Sequence, residues 1–166
     1  MRTVIGAALL MVASGGWLES AHSQNTEAPT SQGRVSNGDI LEYVCSADKF
    51  TGYVTFKIEL FANSAYATAT RYKIEPAMDR EHSANLDIDI EVWDANHSNL
   101  KRLGIASAGG NLRQDNQWHT LTNVTAGGNA GYKVGYVNPA GLFVFDKPQA
   151  GDPRCFAEKA YGEQVN

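Results

Sequence analysis

Residues 86–93, with the sequence LDIDIEVW, decide the fold, because apolar and acidic side chains alternate along them without interruption. Successive side chains of an extended chain point to opposite faces, so the apolar residues share one side and the acidic residues share the other. A strand of this kind has one face on a core and one face in water. The stretch therefore predicts a half-buried β-strand. Its inward residues are Leu86, Ile88, Ile90 and Val92.

Further segments on both sides of this strand are short, rich in β-branched and aromatic residues, and separated by turn residues. About eight strands of this kind predict an all-β chain folded as an antiparallel β-sandwich or jelly roll. A turn is expected at Pro139-Ala140-Gly141, and residues 155–161 are either a short helix or an edge strand. The other predicted strands are 40–45, 53–61, 66–74, 100–107, 117–125, 132–137 and 142–145.

The segments 53–61 and 66–74 are joined by a short Asn-Ser turn and predict a long hairpin. The first segment alternates cleanly, so its apolar residues are expected on one face. The even-numbered residues of the second segment are likewise expected on one side of the strand. They are Tyr66, Thr68, Thr70, Tyr72 and Ile74.

The N-terminus predicts an export signal, because a basic residue precedes an apolar run and a pair of small residues. Arg2 is the basic residue, and the run VIGAALLMV at 4–12 is too short to cross a bilayer as a helix. Ala21 and Ser23 occupy the −3 and −1 positions, so we expect cleavage after Ser23. An uncleaved anchor is the alternative. The chain is therefore predicted to be secreted or periplasmic.

Length and composition predict one globular domain, since the chain has 166 residues of which 43% are hydrophobic and 19% charged. Residues 24–38 are polar and are predicted to form a flexible lead to a β-sandwich domain at 39–166. The net charge is −4, and the basic residues cluster no further than Lys101-Arg102, so we expect no nucleic-acid partner. No segment after the signal is apolar enough to predict a transmembrane segment.

Cys45 and Cys155 are the only cysteines, and both follow the export signal. In an oxidising compartment such a pair predicts a disulfide, with free thiols or a catalytic cysteine as alternatives. The bridge closes a loop of about 110 residues, for which loss of chain entropy in the unfolded state gives at most about 4–5 kcal/mol. It also predicts that the two ends of the domain are neighbours.

The outward side of the acidic strand predicts a cation site. Asp87 and Asp89 lie on the strand, and Asp94 and Asn96 follow at its end. Ca²⁺ binds six to eight oxygens from carboxylates, amides and carbonyls, which these four residues supply in part. The alternative is a solvated strand face whose charges resist edge pairing.

Trp93 is expected on the same side as these carboxylates if alternation holds to the strand end. An exposed tryptophan beside Glu91 is typical of a surface that binds a protein or a carbohydrate. We therefore predict Trp93 and Glu91 as ligand-binding residues. The alternative is that Trp93 shields the strand end or packs beneath a loop.

Three pieces of sequence resemble the bacterial pre-peptidase C-terminal domain over about residues 86–137. They are the acidic strand and its turn at 86–96, LDIDIEVWDAN, the small-residue segment GIAS at 104–107, and AGYKVGY at 130–136. The resemblance implies a jelly-roll sandwich of a kind that is often Ca²⁺-binding and is appended to secreted enzymes.

Catalytic signatures are weak. His82, His97 and His119 form no zinc-binding spacing, so surface or hydrogen-bonded histidines are expected. The chain also lacks a Gly-x-Ser-x-Gly elbow, while a triad or a carboxylate pair depends on geometry that the sequence does not give.

Taken together, these patterns favour an exported, non-catalytic binding module that recognises a carbohydrate, a protein or the cell envelope, with either no cofactor or Ca²⁺. The alternative is an enzyme inhibitor or immunity-type protein. It would insert a rigid loop, at 109–117 or 127–131, into a target. A small hydrolase is a third class.

Overall fold

The computed structural model describes residues 33–76, 84–147 and 151–166. These residues form a sandwich of two β-sheets, which confirms the predicted fold class, although ten strands are present instead of about eight. No helix long and apolar enough to cross a membrane occurs in the described ranges. The strands are β1 (Arg34–Val35), β2 (Ile40–Ala47), β3 (Phe50–Phe61), β4 (Ser64–Glu75), β5 (Asn85–Trp93), β6 (Leu100–Ser107), β7 (His119–Asn129), β8 (Tyr136–Val144), β9 (Arg154–Ala157) and β10 (Glu163–Val165).

The two sheets divide the strands unequally. Sheet A has the order β1-β10-β8-β5-β6, with β9 also paired to β8, and sheet B has the order β2-β3-β4-β7. Neighbouring strands are antiparallel except for the parallel pair of β1 and β10. The acidic strand is β5, and it lies inside sheet A between β6 and β8.

The core lies between the sheets and is built by the alternation that the sequence shows. The four apolar residues of β5 are at most 1% exposed, whereas the residues between them are half-buried on the opposite face. Phe50 of sheet B stacks on Phe145 with ring centroids 5.1 Å apart. Burying side chains of this size stabilises the fold by roughly 1.5–3 kcal/mol each. The predicted inward set of β5 is therefore confirmed.

The hairpin of β3 and β4 contains a β-bulge that the sequence reading missed. Thr55 of β3 pairs with Arg71, and Phe56 pairs with Ala69, so Thr70 is an extra residue. An extra residue reverses which side chains point inward on either side of it. Tyr66, Thr68 and Thr70 therefore lie on the half-buried side, whereas Tyr72 and Ile74 are buried, and their expected common face is wrong.

The turn expected at Pro139-Ala140-Gly141 is also wrong, because β8 runs through it from Tyr136 to Val144. β10 pairs with the start of β8 and β9 with its end, and neither pairs at Pro139. A proline lacks an N–H and is tolerated where one side of its strand has no neighbour. The predicted strands 132–137 and 142–145 are thus one strand, and Tyr132 lies outside it.

The domain begins earlier than residue 39. Arg34 and Val35 pair with the C-terminal strand β10, and Val35 is fully buried. The end of the segment 24–38 is therefore part of the fold, and the expectation of a flexible lead is wrong there. The predicted signal at 1–23 and its cleavage after Ser23 lie outside the described residues.

The disulfide between Cys45 and Cys155 is confirmed, with Cα atoms 5.7 Å apart and a sequence separation of 110. It joins β2 of sheet B to β9 of sheet A, which also decides in favour of an edge strand near residue 155. The pairing of β1 with β10 and this bridge bring the two ends of the domain together, as the bridge predicts.

Candidate functional site

The side of sheet A that turns away from sheet B, here called outer face A, carries the acidic residues of β5. Directly opposed residues of antiparallel strands share a face, so the register shows which neighbours surround them. Asp89 lies between Ile105 of β6 and Ala140 of β8, and Glu91 lies between Arg102 and Asn138. The acidic side chains are therefore near the middle of the sheet and not at an edge.

A bulge in β6 aims two of these neighbours. Arg102 pairs with Glu91 and Ile105 pairs with Asp89, so β6 advances three residues where β5 advances two. Gly104 supplies the left-handed backbone, with φ at 71°, that a bulge favours. As a result Leu103 is buried in the core, while Arg102 and Ile105 both face outward.

An open groove of about 290 Å³ lies on outer face A. Ala140 of β8 forms its floor. β5 and β6 lie on one side of β8, and β9 lies on the other. We call this feature the acidic groove. Its lining residues are Asp89, Glu91, Arg102, Ala140, Phe156 and Glu158.

Arg102 is the cation that the structure places against the acidic strand. Its Nε lies 3.2 Å from Asp89 Oδ2, and its terminal nitrogen lies 3.2 Å from Glu91 Oε1. The other oxygen of Asp89 is buried and has no hydrogen-bond partner in the described part of the chain. A buried oxygen without a donor is costly, so the groove leaves one acceptor unsatisfied.

The charges of the groove are out of balance, with three carboxylates against one guanidinium. Burial raises the pKa of Asp89 and Glu91 raises it further, against the opposing effect of Arg102. Partial burial likewise raises the pKa of Glu158, with added repulsion from Glu91 and Asp89. Glu158 remains exposed overall, so water screens part of this effect. A positive group entering the groove would favour the ionised form of both carboxyls.

Large apolar side chains on the same face surround the carboxylates. Leu100 is 58% exposed, Ile105 71% and Phe156 59%. Leu100 and Ile105 come from β6, and Phe156 comes from β9 on the far side of the groove. Clustered exposed apolar groups around a polar centre are typical of interaction surfaces.

Three groove residues are not predicted from the sequence, because they are distant in the chain from the acidic strand: Arg102, Phe156 and Glu158. Glu158 and Asp89 are far apart in sequence and meet only because β9 joins sheet A. The alternation of Cys155 inward with Phe156 outward would have indicated the far wall, had residues 155–161 been read as a strand.

The predicted ligand residues Trp93 and Glu91 both lie on outer face A, as expected. Trp93 is half-buried and lies opposite Tyr136 of β8. The ring of His97 lies between them, 3.8 Å from that of Tyr136 and 6.0 Å from that of Trp93. Trp93 is thus part of an aromatic cluster beside the groove, whereas Glu91 lines the groove itself.

The four residues predicted to bind Ca²⁺ are spread along the molecule. Asp87 and Asp94 are seven residues apart on an extended chain, which is roughly 20 Å at the rise of a strand. Within the described ranges no group of three or more His, Cys, Asp or Glu residues is arranged to hold a metal ion. One ion therefore cannot contact both Asp87 and Asp94. Ca²⁺ binding by a smaller part of the set, including Asp89 or Asn96, stays a prediction.

The carboxylate of Asp94 is used by its own turn. It accepts hydrogen bonds from the side chain of Asn99 at 2.6 Å and from the backbone N–H groups of Ser98 at 2.8 Å and Asn96 at 3.2 Å. These hydrogen bonds, the one from Asn99 first, lower the pKa of Asp94. Asp94 therefore ends β5 as a turn-forming residue.

The two histidines in the described ranges, His97 and His119, have separate surroundings. His119 Nε2 lies 2.8 Å from Asp115 Oδ1, and its ring stacks on Tyr72 with centroids 5.2 Å apart. His97 belongs to the aromatic cluster, and His82 lies outside the described residues. His119 therefore agrees with the expectation of a hydrogen-bonded histidine.

Both segments proposed as inhibitory loops are anchored to the sandwich by part of their length. In 109–117, Leu112 is 5% exposed and Gln114 only 1%. The amide of Gln114 donates to the carbonyl of Asp146 and accepts from its N–H. In 127–131, Gly127 and Gly128 lie within β7 and pair with β4. Insertion of either segment into a target's active site stays a prediction.

Comparison with known proteins finds no family model, no curated protein and no solved structure that matches the chain. The resemblance to the pre-peptidase C-terminal domain therefore stays a prediction.

Proposed function

We propose that this chain is an exported, non-catalytic binding module that holds a positively charged segment of a protein partner in the acidic groove. The observation that carries the proposal is the excess of carboxylates over cations in an open groove on a sheet face. The ligand contributes the positive charge that the groove lacks, and Arg102 pairs with two of the three carboxylates.

Charge complementarity supports a cationic ligand. The buried oxygen of Asp89 has no donor in the described part of the chain, and the pKa of both Asp89 and Glu158 is raised. An ammonium or guanidinium group in the groove relieves the repulsion between the carboxylates. Most of the resulting stabilisation comes from desolvated contacts near Asp89, whose side chain is only 17% exposed.

The apolar surroundings support a protein segment over a neutral sugar. Ile105 and Phe156 lie on opposite sides of the groove, so a chain in it meets apolar surface on both sides. Aromatic rings that stack on sugars need an open face, but Trp93 and Tyr136 already pack around His97. A segment with basic and apolar side chains fits this surface, and its apolar contacts add affinity that a neutral polar sugar would not gain.

The test is isothermal titration of the mature protein with hexalysine, with hexaglutamate as the opposite-charge control. We expect hexalysine to bind and hexaglutamate not to bind. The double variant Asp89→Asn and Glu158→Gln should bind hexalysine at least about tenfold more weakly, since each charge-assisted contact is worth about 1.5–3 kcal/mol.

The matched control is the double variant Glu42→Gln and Glu75→Gln, which makes the same change in charge on the opposite face of the sandwich. Its affinity for hexalysine should equal that of the wild type. Equal losses of affinity in both double variants would show that hexalysine is attracted by net charge alone and would contradict binding in the acidic groove. Binding of neutral oligosaccharides in place of hexalysine would favour a carbohydrate ligand instead.

A further inference from the structure

The wall of the acidic groove that carries Phe156 and Glu158 depends on a very short strand. β9 has four residues and one strand partner, the end of β8, with which it forms four residue pairs. A strand with so few ladder bonds opens locally at low free-energy cost unless something else fixes it. The N–H of Phe145 donates to the carbonyl of Pro153 at 2.9 Å, just before β9, and two side-chain attachments, one toward each end, add to this fixation.

The first attachment is the disulfide. Cys155 points into the sandwich, is 9% exposed, and bonds to Cys45 of sheet B. Adjacent side chains of a strand point in opposite directions, so fixing Cys155 inward fixes Phe156 outward, toward the groove. The bridge therefore sets the orientation of the wall as well as its place.

The second attachment is the amide of Asn138 on β8. Its Nδ2 donates to the carbonyl of Lys159 at 2.9 Å, and its Oδ1 accepts from the N–H of Lys159 at 3.2 Å. Asn138 is only 4% exposed although it lies on outer face A, because the chain after β9 covers it. Glu158 lies between this attachment and the disulfide.

We propose that Cys45 and Cys155 are a positioning pair for the acidic groove, so that binding of a cationic peptide depends on their disulfide beyond its effect on stability. The proposal rests on the proposed function for its ligand. Without the bridge, Phe156 and Glu158 must be ordered when the peptide binds. Ordering side chains and loops at an interface weakens affinity, and two such side chains with their backbone correspond to about a tenfold loss.

The experiment compares the wild type with the double variant Cys45→Ala and Cys155→Ala. Titration with hexalysine should show about a tenfold loss of affinity at a temperature where circular dichroism shows both proteins folded. Amide hydrogen exchange should accelerate most at residues 154–159 and less in β5 and β3, where core amides report only the lower global stability. The control is Ile58→Val, which truncates the core of sheet B away from β9 and should change neither affinity nor exchange at 154–159.

Each outcome decides the proposal. Unchanged affinity in the folded double variant would overturn it and leave the proposed function standing. Exchange that accelerates as much in both sheets as at residues 154–159, or a variant that does not fold, would also overturn it, since the bridge would then act only on the whole fold. If the wild type does not bind hexalysine, the proposed function fails, and local acceleration at 154–159 alone still supports positioning of the wall.

Discussion

The two outer faces of the sandwich treat their charges differently. On the side of sheet B that turns away from sheet A, here called outer face B, Arg71 lies over the ring of Trp118 at 4.4 Å and reaches Glu42 at 3.5 Å. Lys73 lies over the ring of Tyr53 at 4.3 Å and pairs with Glu75 at 2.5 Å. On outer face A, three groove carboxylates share one guanidinium.

This difference distinguishes a surface that stabilises the fold from one that is available to a ligand. On outer face B Arg71 and Lys73 each have a carboxylate partner and an aromatic neighbour, so a ligand would have to displace existing contacts. On outer face A the structure retains repulsion and an unsatisfied oxygen at Asp89. Uncompensated features of this kind concentrate at functional sites, where stability is lower than the fold would allow.

The largest expected difference between the faces is the stability lost on aromatic truncation. Trp118→Ala removes a cation–π contact with Arg71 and an edge-to-face contact with Tyr53, which together are worth about 2 kcal/mol. Phe156→Ala should cost less than about 0.5 kcal/mol, because Phe156 is largely exposed. Urea unfolding monitored by circular dichroism measures both. Equal losses would mean that Phe156 is a structural residue, contrary to its place in the groove.

Neutralising one glutamate on each face should change stability in opposite directions at neutral pH. The hydrogen bond from Lys73 lowers the pKa of Glu75, so Glu75→Gln removes a favourable ionised group and lowers the melting temperature. The pKa of Glu158 is raised, so Glu158→Gln removes repulsion and should raise the melting temperature by about 1–2 °C. Differential scanning calorimetry decides. A lower melting temperature for Glu158→Gln would show that its carboxylate is compensated.

The melting-temperature changes caused by Glu75→Gln and Glu158→Gln should both become smaller in acid. Glu158 has a raised folded-state pKa, so its stability contribution is full below the ordinary value of about 4.3 and is lost as pH rises through the folded value. Glu75 has a lowered pKa, so its contribution is present above about 4.3 and is lost as pH falls through the folded value. Melting curves from pH 7 down to pH 3 should therefore bring Glu158→Gln together with the wild type and should narrow the difference for Glu75→Gln. A gap for Glu158→Gln that persists at pH 3 would have to come from something other than titration.

Alternation predicts a face, and this is why much of sheet A could be derived from sequence. The period of two in 86–93 depends only on local geometry, so the buried set of β5 and the outward place of Trp93 and Glu91 follow directly. The two cysteines predict the bridge for an equally simple reason, since no other pairing exists within the chain.

Three-dimensional neighbours decide the rest. The bulges at Thr70 and Gly104 change which residues face outward, and they depend on pairing with strands distant in sequence. The groove needs β5, β6, β8 and β9 side by side, an order that no local pattern contains. The sequence therefore predicts the acidic strand as part of a binding site, but it does not predict the neighbouring residues Arg102, Phe156 and Glu158.

The smallest expected effect is the change in melting temperature on adding Ca²⁺. This measurement tests whether the excess negative charge of outer face A binds a metal ion. Asp94 is satisfied by its own turn, and Asp87 is too far away to share an ion with it, so millimolar Ca²⁺ should shift the melting temperature by less than about 1 °C. A ligand that binds only the folded state at a hundred times its Kd stabilises by about 2.7 kcal/mol, so a genuine site would be visible as a rise of several degrees. Asp89→Asn is the matched variant, because it removes the groove carboxylate and leaves the turn at Asp94 intact. A rise that Asp89→Asn abolishes would assign the groove to a metal ion, and the protein ligand would then have to bind through that ion or elsewhere.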